Sequence, residues 1–274
     1  MSPIPDVSTL GRFVWLGPER RDVELLIVAP HPDDEVIGPG GRARLTAERG
    51  VGAIVVTDGA RGAGGRSEPG LAARREQESI AGLKVVRAAF VWFLRQTSSD
   101  VQREPAGATT DAIAHAVARF RPRTVVTTSP YERHPTHLAT TKATIAALQR
   151  SGGAVAEFFG MPVWDPVPGT SGVAELDVGS VLEEKLAAIR CHASQLADRP
   201  FDRTAKAQME RDGTLAQLTG SGGTRYVERY LDLRELVTAG APTLRSWLAR
   251  RFEADLDARL PAGGAERSSG ERRA

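Results

Sequence analysis

Residues 25–41 read LLIVAPHPDDEVIGPGG. The apolar run Leu25–Ala29 has the length and continuity of a strand buried on both faces, and a proline-bounded turn follows at once. That turn packs together His31, Asp33, Asp34 and Glu35 before helix formers resume at Val36. One acid ahead of a helix is an ordinary cap, favoured by the free amides and dipole of the first turn. Three consecutive acids behind a histidine exceed what a cap requires. The glycine-rich end does not suit a nucleotide either. Gly38-Pro39-Gly40-Gly41 lacks the G-x-G-x-x-G spacing, and the neighbouring acids would repel a pyrophosphate. Imidazole and carboxylate are the groups zinc takes when thiolate is absent. His31 and Asp34, three apart at a turn into a helix, can converge on one point. Asp33 then lies beside that point, suited to accept a proton from water.

Working outward, apolar, β-branched runs at 23–29, 52–57, 88–94 and 124–128 predict four strands, and 155–159 is a fifth candidate. Helical patterning occupies the intervals 36–49, 71–83, 109–120 and 136–149. The alternation predicts an α/β, Rossmann-like fold: a mostly parallel sheet with helices on both faces. A Pro- and Gly-rich loop, MPVWDPVPGTSG, spans 161–172. Beyond it 178–193 and 234–260 read as helical, with little strand between them. The expectation is a single domain over 1–262, with its core at about 23–160 and a mainly helical C-terminal portion at about 173–262. Residues 263–274, GGAERSSGERRA, read as a disordered tail.

In such sheets ligands bind beyond the carboxyl ends of the strands. The strand at 124–128 ends near a second dense junction, YERHPTH at 131–137. Pro135 suits the first turn of a helix. His137 is the natural third ligand. His134, nearer the opening, is placed to donate to a developing oxyanion or a departing amine. Two histidines at a helix start would be unremarkable alone. Here three of the chain's five histidines fall at two strand-to-helix junctions that the fold should bring together.

These residues resemble the PIG-L / LmbE-like family of N-acetylglucosaminyl deacetylases. The resemblance is carried by PHPDDE at 30–35 with the VIGPGG that follows, and by HPTH at 134–137. Thr57-Asp58-Gly59, Arg75 with Glu78, and Lys185 with Cys191-His192-Ala193-Ser194-Gln195 extend it from about Leu25 to Gln195. It implies one zinc per chain on His31, Asp34 and His137, with Asp33 as general base. His134 would stabilise the oxyanion or protonate the amine, and Arg75 and Asp100 would contact the substrate. His192 and Gln195 are expected to have structural roles, and His115 to be a plain structural or surface residue. The implied activity is removal of an N-acetyl group from an amino sugar or N-acetylglucosaminyl conjugate. The partners are a small glycoside or glycoconjugate, and water as co-substrate. Cleavage of a thiol-conjugate amide is an alternative, as is a metal-free Rossmann-like binding protein. One departure stands out: many bacterial members have HPDH where this chain has Thr136, so the acid that would charge the upstream histidine is missing.

Composition narrows the field. A net charge of +2, with basic residues scattered among acidic ones, lacks the clustered basic face of a nucleic-acid binder. The single cysteine, Cys191, excludes an intrachain disulfide and a cysteine-rich metal site. No apolar stretch reaches the roughly 18 residues of a membrane span. The N-terminus lacks a basic region followed by an apolar core, so it does not read as a signal peptide. The expectation is a soluble, cytoplasmic protein.

Overall fold

The structure, a computed structural model, describes residues 11–61, 67–104, 107–169, 172–197, 199–218 and 225–259. The expected tail at 263–274 lies outside them, as do residues 1–10. Strand β1 (Arg12–Trp15) precedes β2 (Leu25–Ala29), α1 (Asp34–Ile37), α2 (Gly40–Thr46), β3 (Val51–Thr57) and α3 (Leu71–Val85). Next come β4 (Phe90–Gln96), α4 (Ser98–Arg103), α5 (Ala108–Phe120), β5 (Thr124–Thr128), α6 (Pro135–Arg150) and β6 (Glu157–Met161). The later half adds β7 (Val173–Asp177), α7 (Leu182–Arg190), α8 (Ala193–Leu196), α9 (Phe201–Leu218), β8 (Val227–Asp232) and α10 (Leu244–Arg259).

The eight strands form one sheet in the order β1-β4-β3-β2-β5-β6-β8-β7. The five central strands are parallel, and β1, β8 and β7 join antiparallel at the two margins. Alternate residues of β2 face opposite layers. Leu26 and Val28 pack with Ile113, Val117 and Leu148 of α5 and α6, whereas Leu25, Ile27 and Ala29 pack with Leu83, Leu186 and Ile189 of α3 and α7. All five β2 side chains are fully buried, so truncating Leu26 to Ala should cost about 2–5 kcal/mol.

The strand order reverses at β2, whose chain continues to β3 on one side while β5 pairs on the other, with Leu25 opposite Thr124 and Ile27 opposite Val126. This is the switch point at which such sheets open a crevice. The two sequence junctions follow these two adjacent strands.

The C-terminal portion is mainly helical as expected, in α7, α8, α9 and α10, but three features went beyond the sequence reading. Two strands of that portion, β7 and β8, join the sheet. VERYLD hides as a strand because its charges are buried, Glu228 against the amides of α2 and Arg229 against Glu175 and the Gly169 carbonyl. The expected helix over 36–49 is broken into α1, α2 and a short 3-10 turn. Pro39 cannot donate the backbone bond a continuous helix needs. Gly38 lies so close to Met161 that a Cβ would meet its Sδ at 2.5 Å. Finally β1 was not expected. Its four residues gain their place through tertiary contact, Phe13 stacking on Phe90 and Phe120 at 5.1 and 6.0 Å.

Candidate active site

The turn after β2 is tightly tied. Asp33 adopts φ 138°, a conformation few residues other than glycine accept. It is held from every side. Its N–H donates to Glu35 Oε2 at 2.8 Å, and its carbonyl accepts from Val36 and Ile37. The buried Arg75 donates to the Pro32 carbonyl at 2.7 Å and to Asp33 Oδ2 at 3.1 Å. Ser79 donates to the other oxygen of Glu35, and His192 Nε2 lies 3.6 Å from it.

Across this turn stands the loop after β5. Asp34 Oδ2 sits 3.1 Å from His31 Nδ1 and 3.4 Å from His137 Nε2. The candidate ligand atoms of His31, His134 and His137 lie within 4.8 Å of one another. His137 is fully buried, His31 partly so, and His134 is exposed at the mouth. Glu132 completes the frame. Its Oε2 lies 3.2 Å from His137 Nδ1, while Oε1 accepts the amides of Val163 and Trp164 at 2.7 and 3.0 Å.

The arrangement fits a metal. With Nδ1 donating to Glu132, the buried Nε2 of His137 has no hydrogen-bond partner and faces a carboxylate oxygen. Only a proton or a cation between them makes that contact favourable. Tetrahedral zinc with bonds of about 2.0–2.1 Å sets its ligand atoms about 3.3 Å apart, close to the two Asp34 spacings. A carboxylate behind a ligating imidazole is the usual way to fix its tautomer.

Electrostatics separates the groups. Burial opposes ionisation of Asp34, but His137 and His31 outweigh it and hold the carboxyl far below its ordinary value. Asp33 moves the other way. Burial raises it well above the ordinary value despite Arg75, and Asp34 and Glu35 add to the effect. Burial carries Glu35 up to about 7. Burial also lowers His31, outweighing Asp34. In His137 burial is overcome by Asp34 and Glu132, and the value rises. His134, exposed at the mouth but enclosed on the side that faces the cluster, falls to about 4 through desolvation of that side and the neighbouring His31 and His137.

A cleft of about 530 Å³ opens over this cluster. His31, Asp33, Asp34, His134 and His137 all line it, so the two junctions meet. Arg75 lines it as well, but its guanidinium is committed to Pro32, Asp33 and the Gly59 and Arg61 carbonyls. Asp100 is not among the lining residues; its exposed carboxylate takes the Thr97 hydroxyl and Arg103. Gln195 reaches the cleft wall, and His192 lies behind it. His115 packs on α5 against Trp92, 6.0 Å between rings. Thr136 accepts from Gln102 Nε2 at 2.8 Å, so a neutral pair occupies the place of the missing acid.

Sequence reasoning passed over Glu132, although it stands inside YERHPTH two residues before His134. Its acidity beside two histidines was the available signal. Trp164, Arg199 and Phe201, which also line the cleft, carried no such signal.

Residues 26–148 match the PIG-L family, described as GlcNAc-PI de-N-acetylase. The likeness covers just under half of the chain. The PIG-L match thus begins in β2 and ends in α6, enclosing both junctions. Over 234 residues the chain is 27% identical to 1D-myo-inositol 2-acetamido-2-deoxy-alpha-D-glucopyranoside deacetylase 1 of Saccharopolyspora erythraea, covering 63% of this chain and 77% of that protein. The fold resembles N,N'-diacetylchitobiose deacetylase of Pyrococcus horikoshii, with TM-score 0.62 and 22% identity over 77% of this chain and 83% of that one. It also resembles the 4-carboxy-2-hydroxymuconate hydratase of Pseudomonas putida, with TM-score 0.60 and 20% identity over 77% and 96%. Both structural likenesses concern the fold. Among the described residues, no helix is long and apolar enough to cross a membrane.

Proposed function

We propose that this protein is a zinc-dependent hydrolase that removes the N-acetyl group from an amino sugar or its conjugate, releasing acetate and a free amine. The observation that carries the reading is Asp34 Oδ2 set between His31 and His137, with Asp33 buried alongside at the floor of the cleft. The PIG-L match over 26–148 and the likeness to the Saccharopolyspora deacetylase support the same chemistry.

Zinc on His31, Asp34 and His137 would supply a Lewis acid beside the amide carbonyl and make a nearby water more acidic. Asp33 accepts the proton as the water oxygen bonds to the carbonyl carbon. Its raised proton affinity suits it to pass that proton to the nitrogen as the C–N bond breaks. Arg75 keeps the carboxylate aimed, through Oδ2 and the Pro32 carbonyl. His134, neutral at working pH, donates a hydrogen bond to the developing oxyanion instead of supplying the amine's proton.

The test is to strip the protein of metal, restore one equivalent of zinc, and measure acetate and amine released from simple N-acetylglucosaminides. Activity should disappear and return with the metal. Full turnover in rigorously metal-free protein would end the zinc assignment. Addition of water to an alkene substrate without acetate release would place the chain with the hydratase chemistry of the Pseudomonas relative instead.

A further inference from the structure

A second cavity of about 240 Å³ adjoins the catalytic cleft. Its walls include Ile37 at the end of α1, Val163 after β6, and Ala205 and Met209 on α9. Trp164, Arg199 and Phe201 line both spaces. The charged groups around the cavity are already engaged. Lys185 binds Glu228 and the Gly38 carbonyl, Asp212 takes Arg211, and Arg229 donates to the Gly169 carbonyl with Glu175 beside it. What remains on offer is hydrocarbon surface.

The doorway is aromatic. Trp164 meets Phe201 edge-on at 5.3 Å and carries the Arg199 guanidinium over its ring at 5.0 Å. It is nevertheless 43% exposed, a large apolar surface left in water at the rim of an apolar hole. Glu132 links the doorway to the chemistry. One carboxylate oxygen holds the amides of Val163 and Trp164, and the other lies against the His137 ring. A single buried carboxylate therefore sets the spacing between the apolar cavity and the histidine cluster.

We propose that this cavity takes an apolar group carried by the substrate itself, so that the protein acts on amphiphilic N-acyl amines. The amide lies in the histidine cleft, and an alkyl or aryl group passes Trp164. The inference rests on the hydrolase reading. The apolar group belongs either to the glycoside's aglycone or to the acyl chain, and two substrate series separate these sources.

The experiment uses the zinc-loaded full chain with methyl, butyl and octyl N-acetylglucosaminides, and with acetyl, butyryl and octanoyl amides of methyl glucosaminide. In one series kcat/KM should rise about two- to fourfold per methylene until the cavity is filled, mainly through KM. That series identifies the group. Ala205→Phe, which fills the cavity, and Trp164→Ala, which removes the doorway, should bring the octyl-to-methyl or octanoyl-to-acetyl ratio close to one. Flat series in the unmodified protein overturn the proposal, and so does a rise that survives both substitutions. If nothing is hydrolysed, the hydrolase reading falls. The cavity is then read by fluorescence quenching with octyl against methyl N-acetylglucosaminide, in the unmodified chain and in Trp164→Phe. Quenching that grows with chain length and vanishes in Trp164→Phe supports the cavity; its absence overturns that as well.

Discussion

At the scale of single residues, the site divides its acids by environment. Asp34 is stabilised as an anion by two imidazoles, whereas Asp33 is buried beside one guanidinium and holds its proton more strongly. Asp33→Asn should therefore retain zinc while turnover falls about 10²–10⁴-fold, the usual effect of losing a general base. His31→Ala and His137→Ala should lose metal and activity together, as metal content will show. Glu132→Gln keeps the shape but weakens the grip on His137. Zinc affinity, measured by competition with a chelator, should fall about 10–100-fold. Position 136 offers His134 no carboxylate, since the residue there is a threonine bonded to Gln102. With a value near 4 it should remain neutral from pH 6 to 9 in metal-free protein, as an NMR titration of its ring would reveal. Thr136→Asp should raise that value. An unmoved titration would show that position 136 does not act on the imidazole.

At the scale of elements, the critical joint is between α2 and β8. The first free amides of α2, at Gly41 and Arg42, donate to Glu228 at 2.7 and 2.9 Å, so a strand nearly two hundred residues later provides the cap. Lys185 of α7 binds the same carboxylate at 2.6 Å, and both side chains are almost fully buried. Glu228→Gln should destabilise the fold by about 3 kcal/mol or more, because it leaves an ammonium buried without its counter-charge. Adding Lys185→Met should recover much of the loss. Urea unfolding of the single and double variants measures both effects, and equal stabilities for the two would refute the charge argument. Gly41 is required at this joint, since a Cβ would meet Val178 at 2.6 Å and Glu228 Oε1 at 2.7 Å.

At the scale of the whole molecule, two buried groups behind the cleft give stability opposite dependences on pH. Glu35 holds a proton in the fold up to about 7, above its ordinary 4.5. Its contribution is present below pH 4.5 and is lost as pH rises through 7. His192, which burial and then Arg75 lower to about 3, stays neutral in the fold while the unfolded chain protonates near 6.5. That group costs stability as pH falls from 6.5 toward 3, by about 3 kcal/mol between pH 7 and pH 4. His192→Asn should remove this part of the acid sensitivity. Urea midpoints of metal-free protein at the two pH values will show it, and identical acid losses in both proteins would mean that the buried ring protonates in the fold.

Much of the architecture was legible in the chain because its signals are local. Continuous β-branched runs can be buried only in a two-sided sheet, and HPDDE and HPTH, taken together, pointed to one candidate site through residue type and spacing. The strand predicted at 124–128 agrees with β5 residue for residue. Tertiary structure alone decided where charged segments go. VERYLD looks like surface until Glu228 finds the amides of α2 and Arg229 finds Glu175. The apolar cavity beside Trp164 is written in no contiguous stretch, because its walls come from α1, the segment after β6, and α9. A covalent neighbour can set a turn or a ligand spacing, but the partner of a buried charge and the far wall of a cavity exist only once distant segments have packed.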